Sequence, residues 1–182
     1  MSPAPREVRL RDGRVATLRP VRPDDASGLV TMERKLAEDG RGMVVVPDQV
    51  RSEAAERAKI EEQRPADDDA SCLVVAACGD EIAAHGALRQ LTPRLCRHVG
   101  IFSLGVAPEA QGLGLGRALM EYLVDHALAS GITRLELYTR ADNTRARALY
   151  ESLGFVTEGV RRGFVRLDDG TLVDDLIMVR FA

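Results

Sequence analysis

Five residues near the middle of the chain stand at a spacing that suits anion binding: Gln111, Gly112, Gly114, Gly116 and Arg117. An apolar, strand-like run from Val99 to Val106 leads into them, and an amphipathic run from Leu115 to Leu128 leads away. Glycines let a backbone approach a ligand with no Cβ in the way. The first N–H groups of a helix lack intrahelical partners, and the positive end of the helix dipole adds to their pull on phosphate. Arg117, in the first turn, brings a donor for charge-assisted hydrogen bonds. A P-loop would close this turn on Lys-Ser/Thr, but the chain has Arg117-Ala118. The dinucleotide fingerprint G-x-G-x-x-G meets Arg117 or Leu119 where its third glycine belongs, and Glu136, near the offset of a ribose-binding acid, falls inside a β-run. The pattern that fits is Q-x-x-G-x-G, formed by Gln111, Gly114 and Gly116. Taken alone, it reads equally as a phosphate cradle or as a helix entry built for tight packing.

A second constellation follows after one helix and one strand. Asn143 to Phe155 carries N-x-x-A-x-x-L-Y-x-x-x-G-F, with Ala146, Leu149, Tyr150, Gly154 and Phe155 in place. By itself it is also the buried face of a helix closed by a glycine. In this order and context the two motifs resemble the signatures of the GNAT superfamily of acetyl-CoA-dependent N-acetyltransferases. The resemblance runs from about Val15 to Phe181. It implies that the strand before the glycine loop splays from its neighbour, with pantetheine held in the gap by backbone at Leu104 and Val106. It also implies that the loop from Gly112 through Leu113, Gly114 and Gly116 to Arg117, with Gln111, takes the pyrophosphate of acetyl-CoA, and that Asn143 and Tyr150 flank the thioester.

Acetyl transfer needs a neutral amine, a polarised carbonyl and a protonated leaving thiolate. A phenol of ordinary pKa near ~10 can protonate a thiolate whose conjugate acid lies at roughly 8.5, so Tyr150 is the candidate general acid. Many relatives carry a strand glutamate as base. Counting back from Val106 places Gly100 at that position, and no acid occurs from His98 to Ala107. His98, at the opening of the strand, is the candidate base, followed by His85 in the next strand; a water relay is the alternative. The missing acid also leaves room for a second class of function, a module that senses acetyl-CoA or CoA without turnover. Glu33, Glu38, Asp39, Asp174 and Asp175 are acids that could draw a cationic amine to an acceptor groove.

These residues need a scaffold. Glu7–Arg19 alternates around Asp12-Gly13 and reads as a hairpin. A helix follows, capped by Asp24 or Asp25 and ending near Gly40-Arg41-Gly42; a second, mostly exposed helix runs from an Asp48 cap through Val50–Arg64 to a stop at Pro65. Asp67-Asp68-Asp69 reads as a solvated loop. Ser71–Cys78, Ile82–Leu88, His98–Val106, Ile132–Thr139, Phe155–Leu167 and Leu172–Phe181 read as strands, with a bulge expected at Gly105. The sum is an α/β (α+β) arrangement: a mixed, mostly antiparallel sheet of about seven strands flanked by about four helices, in a single domain over 1–182 with its motif-bearing core at about 15–181.

Composition narrows the class further. The chain has 182 residues, 45% of them hydrophobic, and a net charge of −3 with no basic stripe, so nucleic acid is not an expected partner. Cys72, Cys78 and Cys96 show no metal-binding or disulfide spacing and read as reduced thiols, and no metal is expected. With no apolar segment at its start and none long enough to span a bilayer, the chain is expected to be cytoplasmic and to have no membrane partner. The expected partner is an amine of a small molecule or protein. A homodimer through the exposed last hairpin is possible on this pattern.

Overall fold

In the computed structural model, which describes residues 3–42, 44–62 and 69–182, the alternating N-terminal segment folds as β1 (Arg6–Arg9) and β2 (Val15–Pro20). Helices α1 (Ala26–Asp39) and α2 (Glu53–Glu62) follow. The apolar runs then give β3 (Cys72–Cys78), β4 (Glu81–Gln90) and β5 (Val99–Val106). Next come α3 (Leu115–Ala129), β6 (Arg134–Arg140) and α4 (Thr144–Ser152), and the chain closes with β7 (Val156–Arg166) and β8 (Leu172–Phe181). One mixed sheet contains eight strands in the order β1-β2-β3-β4-β5-β6-β8-β7, in line with the expected sheet of about seven: the N-terminal hairpin, whose β1 pairs along all four residues with β2, and the six later strands. Every pairing is antiparallel except β5 with β6, the pair that α3 connects. A parallel pair requires such a crossover.

Alternation along the strands sorts the two faces. A Cβ built on Gly86 would meet Leu123 and Leu119 of α3, whereas one built on Gly105 would meet His85 and Leu36 of α1. Helix α3 therefore covers one face with Leu115, Leu119, Leu123 and Ala127, all buried, and α1 covers part of the other with Leu29, Met32 and Leu36. His126, on the same helix, is half-buried and binds the carbonyl of Ala70 at 2.9 Å. The helix ends at Gly131 with φ +82°, which a left-handed C-terminal residue requires.

Three local expectations are corrected. Asp48 lies in a short 3₁₀ turn (Pro47–Gln49), and Val50 is extended at φ −66°, ψ 129°, so α2 starts later. Ser52 caps it through Ala55 N–H at 3.3 Å. The β4–β5 ladder passes Gly105 without a register shift, so there is no bulge: the glycine makes room for the His85 ring, whose Nε2 would lie 2.6 Å from an added Cβ. Asp25 does precede α1, but its carboxylate takes Arg19 (2.7 and 2.8 Å) and the Arg22 N–H (2.7 Å), not a helix amide. Pro65 and Asp67-Asp68 lie outside the described residues.

Candidate active site

The site begins where the parallel pair ends. β5 and β6 pair from Val99↔Arg134 to Phe102↔Leu137 and no further. Beyond that point β5 stays on β4 as far as Ala84↔Val106, and β6 stays on β8 as far as Arg140↔Asp175. The sheet thus opens into a V. Ala107 N–H donates to Ala83 and the Val99 carbonyl accepts from Leu91, both toward β4, while the His98 carbonyl accepts from Thr133 and Arg134, toward β6. Successive strand residues turn their N–H and C=O groups to opposite neighbours. Leu104 and Val106 therefore present their backbone to the gap, and both line the cleft of about 1040 Å³ that the gap opens into.

At the mouth of the V lies the glycine turn. Gly112 and Gly114 have φ +80° and +91°, a region that side chains disfavour. Gly114 stands at the N-cap of α3, and the first helical bond runs from Ala118 N–H to its carbonyl at 3.1 Å. Among the described residues no backbone carbonyl accepts the N–H groups of Gly112 through Arg117. Six donors thus stand without a backbone partner at and just before a positive helix end. The loop is braced from outside: Arg11 N–H donates to Leu113 O at 3.1 Å and Arg11 Nη1 to Gly112 O at 3.3 Å. Gln111 is a brace too. Its Nε2 donates to Val106 O at 3.0 Å, and its Oε1 accepts from Arg145 at 2.7 Å, tying β5, the turn and α4 together. The Leu113 side chain packs against the core instead of lining the cleft. Among the described residues, Arg11, Arg41, Arg117, Arg140 and Arg145 line the cleft against only Asp39 and Asp142, so a chain of net charge −3 is locally cationic where an anion would sit.

Helix α4 forms the far wall. Asn143 caps it through Ala146 N–H at 3.1 Å and lines the cleft. The α1–α2 loop comes close enough that a Cβ on Gly42 would lie 2.0 Å from Asn143 Nδ2. Tyr150, one helical face along, is 7% exposed, stacks edge-on against Phe155 at 6.2 Å and also lines the cleft. Burial pushes its phenol up to about 12, so it holds its proton at neutral pH.

The model of the acetyltransferase (GNAT) family matches residues 39–155 of this sequence. The chain belongs to that family. The [ribosomal protein bS18]-alanine N-acetyltransferase of Escherichia coli K12 is 46% identical over 70 residues, which are 38% of this chain and 47% of that protein. This chain thus spans less than half the length of that curated relative. Among solved structures, an acetyltransferase of the GNAT family from Streptococcus pneumoniae superposes with a TM-score of 0.83 at 24% identity, covering 91% of this chain and 98% of that one. A GNAT phosphinothricin acetyltransferase from Sinorhizobium meliloti, solved with acetyl-CoA, gives 0.78 at 23% identity and covers 91% and 88%. These two likenesses establish the fold.

Not every candidate residue belongs to this GNAT cleft. His98 precedes β5, is exposed and does not line the cleft; five residue steps along the strand, roughly 16 Å at about 3.3 Å each, separate it from Ser103. His85 is packed under α1, and desolvation pulls its pKa down to about 4, so it stays neutral but away from the cleft wall. Gly100 is no vacated base position: a Cβ there would meet Leu88 at 2.6 Å and Ile132 at 3.1 Å, inside the α3 core. Of the five acids proposed to steer an amine, only Asp39 reaches the cleft, and it pairs with Arg41 at 2.7 Å. Asp174 receives the Gly163 N–H at 2.7 Å, and buried Asp175 pairs with Arg161. Glu33 lies among Glu56, Lys59 and Arg51, where desolvation raises its pKa, and Glu38 is on the surface. Arg11, Gly40–Gly42, Tyr138 and Arg140 line the cleft without having been expected there.

Proposed function

We propose that residues 1–182 form one acetyl-CoA-dependent N-acetyltransferase domain that moves an acetyl group to the primary amine of a small molecule or protein. The parting of β5 and β6, with Leu104 and Val106 backbone turned into the gap beside six N–H groups that no backbone carbonyl accepts among the described residues, carries this reading. Pantetheine would pair with that strand edge and the pyrophosphate with the Gly112–Arg117 turn. Tyr150 would protonate the leaving thiolate, its burial in the cleft wall matching the dry surroundings of a thioester. Gln111 and Asn143 act on the ligand through the loop and helix ends they hold. The alanine amine named for the bacterial relative makes an N-terminal alanine peptide the first acceptor to try, beside small aliphatic amines. The free thiols Cys72, Cys78 and Cys96 support a cytoplasmic place.

Calorimetric titration tests the cradle. Wild type should bind acetyl-CoA and CoA at micromolar or better, about −8 kcal/mol. Gly114→Glu, which sets a carboxylate on a left-handed backbone at the pyrophosphate turn, should abolish binding. If wild type binds neither nucleotide, the turn is a packing device and the enzyme reading fails. Binding with no thiol release for any amine offered would instead make the protein a sensor.

A further inference from the structure

With His98, His85 and Gly100 outside the cleft, the acceptor's proton needs another destination, and the sheet provides one. Odd-numbered residues of β5 face α1, as the environment of Gly105 shows, and Ile101 pairs with Glu136 on β6. Glu136 and Tyr138 therefore share a face with Ser103, which is exposed. The opposite face is filled by Leu119 and Leu123 of α3 and Leu137 of β6, all buried. Ser103 and Tyr138 both line the cleft, so the face they share is open to an acceptor. Tyr138 lines the cleft and is 40% exposed, and its hydroxyl donates to Glu136 Oε1 at 2.5 Å. A phenol whose proton is committed to a carboxylate turns its lone pairs outward as acceptors. Arg134 holds the other oxygen of Glu136 at 3.0 Å and also binds Glu158 on β7. The Arg161 guanidinium lies 4.5 Å from the Tyr138 ring centroid and pairs with Asp175, and Arg89 of β4 also acts on the phenol. Glu136 stands behind Tyr138 and not in the cleft lining, and the two carboxylates that line the cleft among the described residues, Asp39 and Asp142, are tied to Arg41 and Arg140.

We propose that Glu136, acting through the Tyr138 hydroxyl, takes the proton that an acceptor ammonium must shed before attack. The inference rests on the acetyl-transfer reading above. One ammonium proton passes to Tyr138 Oη as the phenol proton passes to Glu136 Oε1. The freed amine then forms its C–N bond to the thioester carbon. The C–S bond breaks, the thiolate takes the Tyr150 proton, the second proton shed by nitrogen restores Tyr150 through solvent, and Glu136 releases its own to water. The phenol is a relay and not a standing tyrosinate, because its bond to Glu136 and its burial raise its pKa.

The test follows thiol release from pH 6.5 to 10 with an amine that wild type acetylates, chosen from an alanine-initiated peptide and aliphatic amines, with acetyl-CoA titrated alongside. Glu136→Gln should lower kcat/KM by about 100-fold near pH 7. The deficit should shrink toward pH 10, where the amine arrives neutral. Tyr138→Phe, which leaves the Glu136–Arg134 pair in place, should show the same pH signature at a smaller loss, about tenfold. Acetyl-CoA affinity should stay within about twofold throughout. Wild-type rates in either variant, or a deficit that does not vary with pH, overturn the relay while leaving the acetyl-transfer reading intact. Acetyl-CoA binding with no amine accepted by wild type overturns both.

Discussion

Tyr150 concentrates the residue-scale chemistry. Its phenol faces a cleft with no hydrogen-bond partner among the described residues, and burial raises it to about 12. The sign matters: a raised phenol keeps its proton to higher pH, so the acid form persists across the whole range in which an acceptor amine loses its charge. Activity should therefore rise with amine deprotonation and show no alkaline decline from Tyr150 below about pH 11. Tyr150→Phe should lower kcat by about 100-fold or more while the affinity for acetyl-CoA stays within about twofold. Full activity in that variant would remove Tyr150 from the mechanism and leave it as packing for Phe155.

At the scale of elements, the V depends on how β4 and β5 meet beneath α1. His85 lies where a Cβ on Gly105 would fall, so Gly105→Ala should cost about 1–3 kcal/mol, read as a lower denaturant midpoint at unchanged slope. Adding His85→Ala should recover much of that loss, since it empties the colliding volume; simple additivity of the two costs would show that the ring is not the obstacle. This contact also shows what the sequence could and could not tell. Gly105 announced a close approach, but only tertiary packing reveals that the intruder is a histidine and not a ligand or a bulge. The glycine turn, α3, α4 and most strands are written in short-range spacing, and the structure bears these out. Arg11 and Gly40–Gly42 reach the cleft from far along the chain, and no local pattern encodes that. Glu136 looked like an interior strand residue because strand periodicity does not say which face opens beside a parted pair. His98 erred by position: it is near the strand in sequence yet at the wrong end of it.

For the whole molecule, the parted sheet has a thermodynamic consequence. Among the described residues, only the four pairs from Val99↔Arg134 to Phe102↔Leu137 join the β1–β5 half to the β6–β8 half by backbone ladder. A ligand that pairs with the β5 edge and spans to α4 would act as a missing strand, and it would stabilise the native state by mass action. At a hundred times its dissociation constant the gain is about 2.7 kcal/mol, which for a chain of this length raises Tm by roughly 5–10 °C. The increment should shrink at high ionic strength, because five cleft arginines supply part of the attraction. Amide exchange separates this from nonspecific binding. Leu104 and Val106 face the gap, so acetyl-CoA should slow exchange at their N–H groups and at those from Gly112 to Arg117. A fragment carrying only the nucleotide and pyrophosphate should protect the turn alone. Protection of the turn by both ligands, with Leu104 and Val106 still exchanging freely, would place pantetheine outside the V and leave the parted strands without the role argued for them.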